Sequence, residues 1–142
     1  MIIGKSTEND SNEFDAIIFA RRDINNIVIP SFIRYIGKNS FSDCSDLQKI
    51  EFTVDSKLLS IEKSAFSFSF LRDISIPESV ENLEESWCKD LSYLTNVNLS
   101  PKNKNFKYLD DDHKIILSKS DKNEDIYKII YRIVSEKLIV GI

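Results

Sequence analysis

The side chains best suited to chemistry stand together in one short run. The sole histidine, His113, directly follows Asp110, Asp111 and Asp112. Carboxylates and imidazole bind cations, but an EF-hand needs carboxylates at alternate positions and a distant Glu, and a zinc helix needs two spaced histidines. The run fits neither spacing, so we interpret it as a solvated hairpin turn and predict no metal site.

Catalytic arrangements are equally hard to find in the sequence. The chain has no G-x-S-x-G elbow and no glycine-rich phosphate loop, and its single histidine gives nucleophilic catalysis no obvious base. Scattered Asp and Glu could form a carboxylate pair, which a sequence cannot reveal. Cys44 and Cys88 stand at different positions relative to the repeat described below, which favours free buried thiols over a disulfide. We therefore expect a non-catalytic protein without a cofactor.

Composition narrows the class of partner and the size of the fold. The formal net charge of −4 and the pI near 5.1 disfavour nucleic acid and anionic membranes, which attract clustered positive charge. No window approaches the ~20 apolar residues of a membrane span, and the first residues lack the apolar segment of a signal peptide. With 42% apolar residues, the 142-residue chain can bury the core of one domain.

The elements that position all other residues come from one six-residue phrase, written four times. Its first, fourth and sixth places are apolar, and its fourth place recurs at intervals of 23, 24 and 23 residues. The copies are Ile24–Ile29, Leu47–Phe52, Leu71–Ile76 and Leu94–Leu99. An L-x-x-L-x-L phrase at this period predicts a leucine-rich repeat solenoid, β-rich but of the α/β type, with short parallel strands on its concave face.

Each repeat of about 23 residues should form one coil of the solenoid. The residues that follow the six-residue phrase in each coil also repeat. A proline follows two of the strands, and two apolar residues three apart come next. A pair of neighbouring residues then points to the interior: Ser40-Phe41, Ala65-Phe66 and Trp87-Cys88. We predict that these pairs sit on short helical turns on the convex side. In the first two pairs the large residue comes second, whereas in the third pair it comes first. We therefore predict that Trp87 fills the space that Phe fills in the other coils.

The two ends of the chain differ from the coils. We predict one domain over 1–142, with an N-terminal hairpin or cap at 1–23, repeat coils at 24–99, and an insert-like hairpin with an unfinished coil at 100–142. Leu138-Ile139-Val140 stands where Ile27-Val28-Ile29 stands in the first coil. An apolar strand edge at Leu138 to Ile142 would pair with other chains, so we expect self-association through this segment.

These residues resemble the BspA-like leucine-rich repeat family of bacterial and protist surface proteins. The segment Ile24 to Leu47 carries the family's pattern through Ile27-Val28-Ile29-Pro30, Ile33, Ile36-Gly37, Ser40-Phe41 and Cys44. The chain departs from the broader leucine-rich pattern three residues after the strand, where Asn or Cys is expected. Phe32, Asp55, Ser79 and Lys102 stand there instead. The resemblance implies a surface antigen or adhesin and therefore a cell-surface location.

A binding surface follows from the alternation of side chains along each strand. The residues between the apolar positions point away from the core, and stacked strands place them side by side. We name these eight residues the strand grid: Asn26, Val28, Lys49, Glu51, Asp73, Ser75, Asn96 and Asn98. Since the grid is polar and lacks aromatic anchors, we expect weak, multivalent recognition of a protein or glycan. The alternatives are a structural spacer and an intracellular protein-interaction scaffold.

Overall fold

The computed structural model describes residues 1–6, 13–120 and 123–132 of the chain. That part contains twelve strands and no helix. The strands are β1 (Ile2–Gly4), β2 (Ala16–Phe19), β3 (Asn26–Ile29), β4 (Tyr35–Ile36), β5 (Lys49–Phe52), β6 (Ser60–Ile61), β7 (Asp73–Ile76), β8 (Asn82–Leu83), β9 (Asn96–Leu99), β10 (Phe106–Tyr108), β11 (Ile115–Ser120) and β12 (Asn123–Arg132).

The repeated phrase forms the parallel sheet that its period predicts. Strands β3, β5, β7 and β9 are neighbours in that order, with Ile27 opposite Ile50 and Ile74 opposite Val97. The fourth-place residues of the last three copies are buried, while the residues on either side of them are exposed. Burying one such aliphatic side chain contributes about 1.5–3 kcal/mol, so the in-register rows stabilise the stack.

A second parallel ladder runs through β2, β4, β6 and β8, which the sequence does not predict. Strands β4, β6 and β8 are two residues long and contribute one buried aliphatic each: Ile36, Ile61 and Leu83. Two residues are too few to show the alternation by which a strand is recognised in a sequence. Each coil therefore crosses two sheets, and the apolar rows of both enclose one core.

The predicted short helical turns on the outer side are wrong. After β4, β6 and β8 the chain makes consecutive turns with three-residue hydrogen bonds, such as Ser42 N–H to Asn39 O at 3.1 Å. A pair of residues four apart adopts left-handed backbone in each coil, with φ between 56° and 64°. These are Asn39 and Asp43, Ser64 and Phe68, and Ser86 and Asp90. Because a left-handed residue at every fourth position interrupts right-handed backbone, no α-helical turn can propagate.

In addition to their internal hydrogen bonds, these turns are bonded to the turns of the next coil. Phe41 N–H donates to Ala65 O at 2.8 Å, and Asp43 N–H donates to Ser67 O at 2.8 Å in the next coil. Backbone groups such as Phe41 N–H and Asp43 N–H, which a helix would satisfy internally, are thus satisfied between coils. The turns form a third stack of main-chain hydrogen bonds beside the two sheets.

The turns direct an aromatic column into the core. Phe41 stacks on Phe66 with ring centroids 5.4 Å apart, and Phe66 meets Trp87 edge-on at 6.3 Å. All three side chains are fully buried. Trp87 therefore occupies the place in the column that the sequence assigns to it, although it stands one position earlier in its turn than the two phenylalanines do.

The N-terminal strands cover one half of the first coil. β1 pairs antiparallel with β2, and β2 pairs parallel with β4. Gly37 N–H donates to Ile17 O at 2.9 Å, and a Cβ at Gly37 would lie only 2.6 Å from that oxygen. The close approach of β2 requires glycine here, whereas Glu62 and Glu84 take the equivalent places in later coils.

At the other end, β10, β11 and β12 form an antiparallel sheet. The flanking hairpins that the sequence predicts are therefore present at both ends. The predicted strand at Leu138 to Ile142 lies outside the described residues, and the division at 23 and 99 stays a prediction.

Truncating the centre of the aromatic column should be far more costly than truncating its exposed neighbour. We expect Phe66→Ala to lower the free energy of unfolding by about 3–5 kcal/mol, because both adjoining rings lose their contact surface. Phe68→Ala, two residues on, removes a ring that is 59% exposed and should stay within about 0.5 kcal/mol. Urea titration followed by Trp87 fluorescence measures both variants. Equal losses would contradict the column as a source of stability.

Candidate functional site

The strand grid lies where the sequence places it. All eight side chains are exposed on one face of the β3-β5-β7-β9 sheet. Asn26, Lys49, Asp73 and Asn96 form one continuous row across the four strands, through the pairs that join each strand to the next. Val28 pairs with Glu51 and Ser75 with Asn98, which adds two further in-register pairs to the same face. Ligand binding by these residues stays a prediction.

Weak polar contacts hold the grid side chains. Lys49 Nζ lies 2.7 Å from Glu51 Oε1 on the same strand, and Asn96 Nδ2 donates to Asp73 Oδ1 at 2.6 Å across strands. The Lys49 and Glu51 side chains are 62% and 51% exposed, and ion pairs at such exposure contribute about 0–1 kcal/mol. A ligand can therefore exchange these contacts for its own at little cost in stability.

A groove of about 480 Å³ opens where β5, β7 and β9 end, and the sequence analysis missed it. Its apolar lining includes Phe52, Ile76 and Leu99, and its polar lining includes hydroxyl groups and the Asn98 amide. The hydroxyl-bearing residues are Thr53, Ser56, Ser75 and Ser100. The residues that line the groove come from three turns about 23 residues apart in the chain. No short sequence pattern can therefore predict the groove.

Grid and groove form one continuous surface. Ser75 and Asn98 belong to the grid and also line the groove. The volume lies within the range of small-ligand pockets, which combine an apolar lining with a few polar groups.

A tyrosine closes the sheet beyond β9. The Tyr108 hydroxyl donates to Val97 O at 2.9 Å and accepts from Leu99 N–H at 2.7 Å. These are the two main-chain groups that a further parallel strand would bond. One side-chain hydroxyl thus replaces the peptide group of a next coil.

Asparagine amides that follow β9 bond the turn of the preceding coil, just after β7. Asn103 Nδ2 donates to Pro77 O at 2.9 Å and to Val80 O at 3.0 Å, and Asn105 Nδ2 donates to Val80 O at 3.1 Å. The pattern position expected to hold Asn carries Lys102, one residue away from Asn103. The expected amide function is therefore supplied by the neighbouring residue, which position-by-position comparison overlooks.

The acidic run forms the turn between β10 and β11. Asp110 Oδ1 accepts from the N–H groups of Lys114 and Ile115, both at 3.0 Å, and the His113 ring stacks on Tyr108 at 3.9 Å. These contacts agree with the predicted hairpin turn. Among the described residues, no group of three His, Cys, Asp or Glu is placed to hold a metal ion.

Both cysteines are free thiols. Burial raises the pKa of the Cys44 thiol, and Arg22 opposes part of that rise. Burial likewise raises the pKa of the Cys88 thiol, to about 12. Neither thiol is therefore an activated nucleophile. At the surface, a hydrogen bond from Arg21 lowers the pKa of Asp23.

Comparison with known proteins agrees with the architecture. The model of the BspA type leucine rich repeat region matches residues 12–112 in six copies. A leucine rich cell surface protein from Faecalibacterium prausnitzii A2-165 superposes with a TM-score of 0.62 at 20% identity, over 77% of this chain and 27% of that one. The pneumococcal vaccine antigen PcpA has a TM-score of 0.62 at 28% identity, over 68% of this chain and 24% of its own.

The chain thus spans about a quarter of the length of both solved neighbours. No curated protein matches it significantly. Over the described residues, no helix has the length and apolar character needed to cross a membrane.

Removing the closing hydroxyl should loosen the edge of β9. Tyr108→Phe leaves Leu99 N–H and Val97 O without their partner, and an unsatisfied part-buried group costs about 1–3 kcal/mol. We expect that loss in urea unfolding, together with faster hydrogen exchange at the Leu99 amide. Tyr93→Phe, at an exposed ring that contacts Phe70, is the control. Unchanged exchange at Leu99 would contradict the closing role.

The Cys88 thiol should make stability depend on alkaline pH. Its folded pKa of about 12 exceeds its ordinary value of 9.0, so its contribution to stability is complete below about pH 9 and declines as pH rises towards 12. The unfolding free energy of the native chain should therefore fall more steeply in that window than that of Cys88→Ala. Other alkaline titrations are common to both proteins and cancel in the difference. Parallel pH profiles would show that the thiol is not desolvated.

Proposed function

The chain belongs to the BspA-type leucine-rich repeat family, and we propose that it is a non-catalytic module that binds a protein or glycan through the strand grid. The observation that supports this most directly is the continuous row of exposed side chains from Asn26 to Asn96, beside two further in-register pairs, one of which lines a groove. The solved neighbours are described as a cell surface protein and a vaccine antigen, which supports a surface role of antigen or adhesin type.

The grid is suited to recognition because its spacing is fixed. Neighbouring strands lie about 4.8 Å apart, so the row from Asn26 to Asn96 presents four polar groups at regular intervals on one rigid sheet. The amides of Asn26, Asn96 and Asn98 can both donate and accept hydrogen bonds. Such a row matches an extended ligand with repeating polar groups better than a compact one.

Affinity for a single site should be modest. The grid has no Trp or Tyr, and tight interfaces commonly depend on such anchors. The groove supplies apolar contact mainly through Phe52 and Leu99, which are half-buried, because Ile76 is fully buried beneath it. Useful binding therefore calls for several copies engaged at once, since linked sites gain avidity without new contacts.

The experiment compares faces of the same fold. Biotinylated chain, tetramerised on streptavidin, is screened on glycan and protein arrays, and hits are retested with a variant carrying Lys49→Ala, Glu51→Ala, Asp73→Ala and Asn96→Ala. We expect binding to fall at least about tenfold, since each 1.4 kcal/mol of lost contact is tenfold in affinity. The tetramer should also bind more tightly than the monomer.

The matched control changes Lys38 and Lys63 to Ala. Both are exposed residues on the turns that follow β4 and β6, away from the grid. Binding that is unaffected by the grid variant but abolished by the Lys38 and Lys63 changes would place the ligand on the outer turns and overturn the proposal.

A structural spacer is the second candidate. Main-chain hydrogen bonds between coils run through two sheets and the turn stack, so each coil is held against the next whatever side chains the grid carries. If neither array yields a ligand that distinguishes the grid variant from the native chain, this reading replaces the first.

A further inference from the structure

The two edges of the β3-β5-β7-β9 sheet, which we call the grid sheet, differ in whether their outward main-chain groups are hydrogen-bonded. At β9, the Tyr108 hydroxyl occupies the outward main-chain groups. At the opposite edge, β3 pairs with β5 on one side and with no other described strand. Within the described part of the chain, one edge of the sheet is therefore closed and the other is open.

The open edge of β3 presents specific peptide groups. Asn25 O accepts from Gln48 N–H at 2.9 Å and Ile29 O accepts from Thr53 N–H at 3.4 Å, both on the β5 side. Alternate residues of a parallel strand bond to opposite neighbours, so the peptide groups of Asn26 and Val28 face outwards. Unpaired edge groups of this kind are a template for another strand.

The core is also incompletely covered beside this edge. Ile24 and Ile27 are half-buried, whereas their equivalents in the second coil, Leu47 and Ile50, are buried. The β1–β2 hairpin covers the β4 half of the first coil and leaves the β3 half open. A cavity of about 240 Å³, lined by Met1, Arg21, Asp23 and Ile24, lies where the chain enters β3.

We propose that this edge binds the C-terminal segment Leu138 to Ile142 of a second copy of the chain, as an added parallel strand. That segment carries Leu138-Ile139-Val140 in the order in which β3 carries Ile27-Val28-Ile29, so it matches the coil type that the edge lacks. Ten residues follow Arg132, the end of β12, and four suffice for a strand of the grid sheet. In this contact the edge of β3 is the acceptor, which receives the added strand. The segment Leu138 to Ile142 of the second copy is the donor, which supplies that strand.

The contact joins opposite ends of the molecule. β12 belongs to the sheet beyond β9, while β3 lies at the other end of the stack. A donor at one end and an acceptor at the other make a head-to-tail contact, which adds copies without limit unless the rotation closes a ring. Each added copy repeats the strand grid along the assembly. This inference stands independently of whether the grid binds a ligand.

The test separates donor from acceptor. A donor-only variant carries Val28→Pro, which removes the outward N–H without breaking the bonds of β3 to β5. An acceptor-only variant lacks residues 134–142. Asn26→Pro is the second donor-only variant, and circular dichroism with the emission of the buried Trp87 confirms that each variant is folded.

Light scattering of the intact chain should show a mass that rises with concentration, while each variant alone stays at the mass of one chain. Mixing donor-only with acceptor-only chains should give a one-to-one complex. Three results overturn the proposal: a monomeric intact chain at high concentration, association of folded donor-only chains with one another, or the absence of a complex in the mixture.

Discussion

Main-chain hydrogen bonding between coils is the constraint on which the structure depends. No coil pairs its strands internally: β3 needs β5, β4 needs β6, and even the outer turns bond from Phe41 to Ala65 and from Asp43 to Ser67. A coil taken alone would bury its aliphatic side chains poorly and leave most of its peptide groups to water. Cooperative stacking therefore comes first, and the apolar rows and the Phe41-Phe66-Trp87 column follow from the register that stacking imposes.

The same constraint leaves the main-chain groups at each end of the stack without a neighbouring coil to bond. A strand at the end of an array must meet another strand, a side chain that imitates one, or water. The chain uses two of these solutions. The β1–β2 hairpin adds a strand to the β4 ladder and requires Gly37, and the Tyr108 hydroxyl imitates a strand beyond β9. The edge of β3 receives neither treatment among the described residues, so its outward peptide groups stay accessible to another strand.

How much the sequence predicts depends on whether a feature is repeated. The six-residue phrase recurs four times, so its strands, their parallel order and the exposed grid follow from periodicity. The helical turns were wrongly predicted because apolar spacing alone does not reveal left-handed backbone at Asn39, Ser64 or Ser86, none of which is glycine. The groove and the Tyr108 closure could not be predicted, since each joins single residues from different coils that meet only after stacking.

Alternation along the strands separates what folds the chain from what the chain can recognise. On β5, Ile50 is buried in the core while Lys49 and Glu51 point outwards and pair weakly with each other. A change at Ile50 acts on every coil through the apolar row, whereas an exposed change at Lys49 costs about as little as other surface substitutions. The grid can therefore vary from copy to copy while the scaffold stays the same. A family built in this way can share its fold closely and still differ in what each member binds, so the identity of the ligand has to be argued from the grid and the groove of the individual chain.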